Sequence, residues 1–219
     1  WIDHFYERAT SDVVSYENIN HGIQVVTQKT TYNNKIVYTS SDNLGSKIDG
    51  VTNFIGTDFN DVFYGSDGYD EYSAGAGNDI LNGGKGNDRL EGGVGDDLYI
   101  FEREFGVDTI VENDDSPGNL DTLAFGQGIS QNQLWFKKIG DNLEVSIIGS
   151  TDRVVLQDWY KGAAYHVEEF QAGGKTLLDS QVDGLVSAMS AFAPPASGQV
   201  TLPPAYQSAL APVIAANWQ

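Results

Sequence analysis

Residues 56–100 repeat with a period of nine: GTDFNDVFY, GSDGYDEYS, AGAGNDILN, GGKGNDRLE, GGVGDDLYI. Asp stands sixth in every repeat (Asp61, Asp70, Asp79, Asp88, Asp97), and a large apolar or aromatic residue stands eighth (Phe63, Tyr72, Leu81, Leu90, Tyr99). The last three repeats fit Gly-Gly-x-Gly-x-Asp-x-U-x, with U bulky and apolar, apart from Ala74 in place of one Gly. A flexible Gly/Asp-rich linker has no reason to hold an acid and a bulky side chain in phase over five repeats. Glycine permits positive φ and close backbone packing, so the first six residues of each repeat can form a tight turn. The last three form a short strand, in which alternate side chains face opposite ways and only the eighth position points inward. Two repeats then make one coil of 18 residues, and repeats two apart stack on the same edge.

That stacking places Asp61 near Asp79 and Asp79 near Asp97 on one edge, and Asp70 near Asp88 on the other. Stacked carboxylates repel unless a cation lies between them, and carboxylates with turn carbonyls make an all-oxygen ligand set suited to calcium. The expected metal-binding residues are Asp61, Gly68, Asp70, Gly75, Gly77, Asp79, Gly84, Gly86, Asp88, Gly93, Gly95 and Asp97, with the glycines contributing carbonyl oxygens. The first two repeats carry Thr57, Phe59 and Ser66 where Gly is expected, which weakens the sites at Asp61 and Asp70. Residues seven and nine face outward. In the odd repeats these are Val62, Tyr64, Ile80, Asn82, Leu98 and Ile100, and in the even repeats Glu71, Ser73, Arg89 and Glu91. One sheet should therefore show a charged face and the other an apolar strip. A soluble protein rarely leaves such a strip bare, so a flanking segment, residues 13–38 or the strands after Phe125, is expected to cover it.

The charge balance narrows the partners. The chain of 219 residues carries 31 acids against 12 bases, a formal charge of −19. A phosphate backbone attracts basic surfaces, so nucleic acid is excluded as the default partner, and an anionic membrane is disfavoured. Residues 56–100 alone hold ten acids and two bases, Lys85 and Arg89, and should stay expanded by self-repulsion without cations. Cysteine is absent, which removes disulfides and thiolate metal sites. No apolar run approaches the length of a membrane span. The chain opens on Trp1, as expected of a piece of a longer polypeptide.

Four parts are expected along the chain: a β-rich N-terminal flank (1–55), the repeat region (56–125), a capping region of strands (126–179), and a short helix with a C-terminal tail (180–219). In the flank, Val13-Val14-Ser15-Tyr16, Ile23-Gln24-Val25-Val26 and Ile36-Val37-Tyr38 read as strands, with a turn at Asn33-Asn34. After the repeats, Asp108-Thr109-Ile110 and Asp121-Thr122-Leu123 keep the Asp-x-U step with longer loops. Strands are expected at 134–139, 143–148, 153–159 and 167–170, with turns at Gly140-Asp141-Asn142 and at 149–152, around a core of Trp135, Phe136, Trp159 and Tyr160. Ser180-Gln181-Val182-Asp183 reads as a helix start, and Val182, Leu185, Val186 and Met189 follow helical spacing. Five of the six prolines lie from Pro194 to Pro212, and no charged side chain follows Asp183.

These residues together resemble the RTX family of secreted bacterial proteins. The nonapeptides carry the specific part of the likeness. The flanks are most similar to the C-terminal block of the family's adenylate cyclase toxin-haemolysins: Asn132-Gln133-Leu134-Trp135-Phe136, Gly140-Asp141-Asn142-Leu143-Glu144, Asp158-Trp159-Tyr160, Leu185-Val186-Ser187-Ala188-Met189 and the closing Ala216-Asn217-Trp218. The resemblance implies an all-β fold, a right-handed parallel β-roll binding several calcium ions, with β-rich flanks and one or two short C-terminal helices. It also implies an uncleaved type I secretion signal in the tail, an extracellular location, and a function as the calcium-dependent folding and secretion module of a larger toxin or cytolysin. Its partners would then be calcium, the type I secretion machinery and the rest of the parent polypeptide. The terminus of an RTX adhesin or of an RTX hydrolase is the alternative. Sequence motifs give no catalytic role. Gly174-Lys175-Thr176 lacks the earlier Gly of a phosphate-binding loop, since Glu169 stands there. No Gly-x-Ser-x-Gly occurs, and His4, His21 and His166 are isolated. The chain is therefore read as non-catalytic, with any activity belonging to parent domains outside it.

Overall fold

The computed structural model describes residues 53–219 in full and, of the first 52, the backbone of four strands. These are β1 (Val13–Ser15), β2 (Gln24–Tyr32), β3 (Lys35–Asp42) and β4 (Lys47–Asp49). The turn expected at Asn33-Asn34 lies outside the described residues, though β2 and β3 flank it as an antiparallel pair. The repeats then deliver β5 (Asn53–Ile55), β6 (Val62–Tyr64), β7 (Glu71–Ala76), β8 (Ile80–Asn82), β9 (Arg89–Val94) and β10 (Leu98–Phe101), followed by β11 (Val107–Val111) and β12 (Thr122–Phe125).

Successive strands alternate between two sheets. Among the described residues, one sheet runs β1-β5-β7-β9-β11 and the other runs β2-β6-β8-β10-β12, all in parallel pairs. The register is the expected one: Phe63 pairs with Leu81 and Leu81 with Tyr99, while Tyr72 pairs with Leu90. Because a strand alternates its side chains, every eighth residue points between the sheets. Phe54, Phe63, Tyr72, Leu81, Leu90, Tyr99, Ile110 and Leu123 are all 2% exposed or less. The Phe63 and Tyr72 rings stack at 4.8 Å across this interior.

Both sheets then continue past the repeats. Strands β13 (Leu134–Ile139), β14 (Asn142–Ile147) and β15 (Arg153–Leu156) form an antiparallel meander, and β15 adds in parallel to β11. The hairpin β16 (Glu169–Ala172) and β17 (Lys175–Leu178) adds in parallel to β12. The strand expected at 167–170 therefore lies two residues later, and β17 is an added partner. Phe136 lies in the apolar core here, its ring set against Phe170 at 5.7 Å and Trp218 at 6.4 Å.

Helix α1 (Asp179–Met189) buries Val182, Leu185 and Met189 of the stripe read from the sequence, whose fourth member, Val186, is half-buried. It starts one residue before Ser180, and its first turn is closed by the Leu178 N–H donating to Gln181 Oε1 at 3.1 Å. Helix α2 (Pro204–Asn217) is made from the uncharged tail. Proline in a first helical turn forfeits no hydrogen bond, which suits Pro204, whereas Pro212 sits within the helix. Leu210, Ile214 and Trp218 are buried, and Gln219 exchanges two backbone hydrogen bonds of 2.9 Å with Thr176.

One expectation is not met among the described residues. There, no flank lies across the apolar strip: Val62, Ile80 and Leu98 are half-buried, as are Glu71 and Arg89 on the opposite sheet, and Tyr64 is exposed. Strand β2 pairs edge-on with β6 instead, and the strands after Phe125 extend the far edges. The reason is that an open sheet edge carries a row of unpaired N–H and C=O groups, and these command a partner more strongly than a narrow half-apolar face does.

Candidate metal centre

Each repeat turn begins where an inward strand residue ends and closes on its sixth-position Asp. All five of these acids are buried: Asp61 and Asp70 at 0%, Asp79 and Asp97 at 1%, Asp88 at 2%. The reason is local. One carboxylate oxygen of Asp79, of Asp88 and of Asp97 accepts the backbone N–H of the Asp one coil earlier. The distances are 2.6 Å from Asp61 N to Asp79 Oδ1, 2.8 Å from Asp70 N to Asp88 Oδ1 and 2.8 Å from Asp79 N to Asp97 Oδ1. The acids thus stand in two columns, 61–79–97 on one edge and 70–88 on the other, as the 18-residue coil requires.

The columns run further than the nonapeptide motif. Asp88 N–H donates to Asp108 Oδ1 at 3.1 Å, Asp97 N–H to Asp121 Oδ1 at 2.8 Å, and Asp121 N–H to Glu168 Oε2 at 2.8 Å. Asp108, Asp121 and Glu168 were absent from the expected ligands. The Asp-x-U step at 108–110 and 121–123 was the available signal, but the spacing grows from 18 residues to 20 and 24 in these last coils. Glu168 had no repeat signal at all.

The glycines form matching columns. Gly93 has φ +104, and a Cβ there would come under 3.0 Å from the Gly75 carbonyl oxygen. The same holds for Gly95 over Gly77 and for Gly86 over Gly68. Each turn carbonyl therefore abuts the glycine of the next turn, leaving no room for a side chain between stacked turns. Of the expected carbonyl ligands, Gly86 O also accepts the Val107 N–H at 3.2 Å.

The second carboxylate oxygens are the telling atoms. Asp70 Oδ1 and the Oδ2 atoms of Asp79, Asp88, Asp97 and Asp108 are buried with no hydrogen-bond partner among the described residues. Burial pushes the Asp79 carboxyl up to about 7 and the Asp97 carboxyl to about 8, with stacked neighbouring acids adding to the effect. Burial and then the Asp108 charge push Asp88 to about 8, and burial raises Asp70 to about 6. A buried acceptor without a partner costs free energy, and a buried charge without a counter-charge costs more. This donor set fits a hard cation: carboxylate oxygens with free lone pairs, spaced one coil apart beside turn carbonyls.

The first two turns carry hydroxyl side chains where the later ones carry Gly. Thr57 donates its N–H to Asp61 Oδ2 at 2.6 Å and its hydroxyl to Oδ1 at 3.0 Å. Ser66 donates its N–H and hydroxyl to Asp70 Oδ2 at 2.7 and 2.8 Å. Thr57 thus occupies both oxygens of Asp61, whereas Ser66 occupies only Oδ2 of Asp70 and leaves Oδ1 open, as in the later repeats.

Comparison with known proteins agrees with this geometry. The RTX calcium-binding nonapeptide repeat family matches residues 49–81 and 70–99, and the haemolysin-type calcium binding protein related domain matches residues 142–177. The chain is 32% identical over 84 residues to the iron-regulated protein FrpA of Neisseria meningitidis serogroup C. That match covers 37% of this chain and 8% of the relative, so the chain spans a small part of the relative's length. The repeats bind calcium.

Proposed function

We propose that this chain of RTX calcium-binding repeats is the calcium-dependent folding and type I secretion module at the C-terminal end of a larger secreted RTX protein, a toxin or cytolysin. The paired sheets are read as a right-handed parallel β-roll, capped by the segment from β13 to α2. The observation that carries the reading is the set of buried, partnerless carboxylate oxygens at Asp79, Asp88 and Asp97. Calcium, when bound, supplies the positive charge that lets these acids stay ionised inside the fold. The chain supplies the rest. The glycine columns hold the turns at a fixed spacing, the inward apolar residues register one coil on the next, and the cap closes the open end.

Extracellular calcium modules bind with dissociation constants of about 10⁻⁴–10⁻³ M. At cytosolic calcium the chain is thus unfolded and threadable, and outside the cell it folds, which opposes backward movement through an exporter. The C-terminal tail within residues 180–219 is assigned to the exporter, the half-exposed strip of Val62, Ile80 and Leu98 to the parent polypeptide, and any catalytic activity to the parent's other domains. Far-ultraviolet circular dichroism in chelator, calcium and magnesium tests the central claim. A disordered spectrum in chelator and a cooperative gain of β signal with calcium alone are expected, because magnesium demands octahedral geometry and sheds water reluctantly. A complete β spectrum in excess chelator overturns it.

A further inference from the structure

Where the nonapeptides end, one turn carries a carboxylate in a column that is otherwise Gly or Ala. Pairing of β9 with β11 sets Leu90 against Ile110 and Glu91 against Val111. The next residue, Glu112, therefore stands over Gly92, as Gly92 stands over Ala74 and Ala74 over Gly56. This column faces inward, and Glu112 is 2% exposed. Its Oε1 accepts the Tyr99 hydroxyl, whose own oxygen accepts the Gly92 N–H at 2.7 Å. Its Oε2 has no partner, and neither does Oδ2 of Asp97, a residue 1% exposed.

These groups converge. A Cβ on Gly92 would fall under 3.0 Å from both Asp97 Oδ2 and Tyr99 Oη, so the two oxygens border the same space that Glu112 enters from the next turn. One carboxylate oxygen each from Asp97, Glu112 and Asp121 lies within 4.8 Å of the others. Asp121 is held in place by the Asp97 N–H on Oδ1 and by Asn119 Nδ2 on Oδ2, both at 2.8 Å. Among the described residues, none of the three forms an ion pair with Lys or Arg. Three clustered, desolvated carboxylates with two open oxygens are a high-energy arrangement unless a cation joins them.

We infer that Asp97, Glu112 and Asp121 hold a calcium ion at the joint between the repeats and the cap, built from side-chain carboxylates where the nonapeptide turns offer one Asp and glycine carbonyls. The inference rests on the calcium reading above but assigns a site that shares only Asp97 with the nonapeptide pattern and takes Glu112 and Asp121 from beyond it. Glu112 directly follows β11 in one sheet, and Asp121 directly precedes β12 in the other. An ion here clamps both ends of the loop 113–120 onto the last nonapeptide, so the cap is tied to the repeats by the same ligand that orders them. Ligand charge count is a main determinant of calcium affinity, and three carboxylates place this site among the tighter ones in the chain.

Two measurements test it. Glu112→Gln keeps the side-chain shape and an acceptor for Tyr99 while removing the charge. Counting calcium bound at saturation by equilibrium dialysis should give one ion fewer than the wild type, with the calcium-saturated β signal retained. An unchanged count overturns the site. Crystals of the wild-type chain grown in strontium should show an anomalous peak among Asp97, Glu112 and Asp121. Peaks at the nonapeptide turns with none here also overturn it, and this map decides the matter if Glu112→Gln does not fold. A wild-type chain that shows no calcium-induced folding, yet shows the peak, would count against the proposed function and leave the site standing.

Discussion

Removing calcium and then lowering pH should fold this chain rather than unfold it. In the metal-free fold Asp79 titrates at about 7, and Asp88 and Asp97 at about 8, against the ordinary value of 3.8. An acid whose folded pKa is raised favours the fold while protonated, below its unfolded pKa. That contribution is lost as pH rises toward the folded pKa. One pH unit is worth about 1.4 kcal/mol, so at pH 7.5 each of these acids opposes folding by about 4–5 kcal/mol. Three such penalties alone match the upper end of the ~5–15 kcal/mol that stabilises a typical domain. Asp70, Asp108, Asp121 and Glu168, all raised by burial, add to them. At pH 5 the cost falls to about a third of that. The assay is circular dichroism of calcium-stripped protein from pH 8 to pH 5. A disordered spectrum at pH 8 should gain β signal between about pH 7.5 and pH 5, while calcium at pH 7.5 should bring the same signal without acid. A metal-free chain already folded at pH 8, or one as disordered at pH 5 as at pH 8, would refute the account of the buried carboxylates.

Gly93→Ala should raise the calcium concentration needed for half-folding severalfold. The residue sits at φ +104, where an L side chain costs about 1–2 kcal/mol, and its Cβ would strike the Gly75 carbonyl; an unchanged midpoint would show that the turns are not tightly stacked. Ile80→Asp should be mild and Leu81→Asp should abolish calcium-induced folding, because Ile80 faces half-outward and Leu81 is 0% exposed; equal effects would refute the inward and outward assignment. Trp218→Ala should destabilise the calcium-loaded chain by about 3–5 kcal/mol in urea unfolding, since Trp218 is 2% exposed against Phe136; a loss under ~1 kcal/mol would mean the tail is not part of the cap.

The repeat region was legible because its determinants are local and periodic. The in-phase Asp and bulky residue specify the turn, the strand and the inward face, and the 18-residue coil alone places Asp61, Asp79 and Asp97 in one column. Hydroxyls at Thr57 and Ser66 marked the two divergent turns for the same reason. Other features depended on residues distant in sequence. Asp121 and Glu168 join one column although 47 residues separate them, because β16 pairs with β12 and no period announces it. Glu112 acquires meaning only when the 20-residue step of β11 sets it over Gly92 and beside Tyr99. The apolar strip of Val62, Ile80 and Leu98 was read correctly as a face, but which segment met it was a choice between covering a surface and completing an edge. Sequence records the apolarity of a face. Only the tertiary structure shows the unpaired backbone at the rim, and each rim N–H and C=O demands one directional partner whereas a half-exposed apolar face demands none.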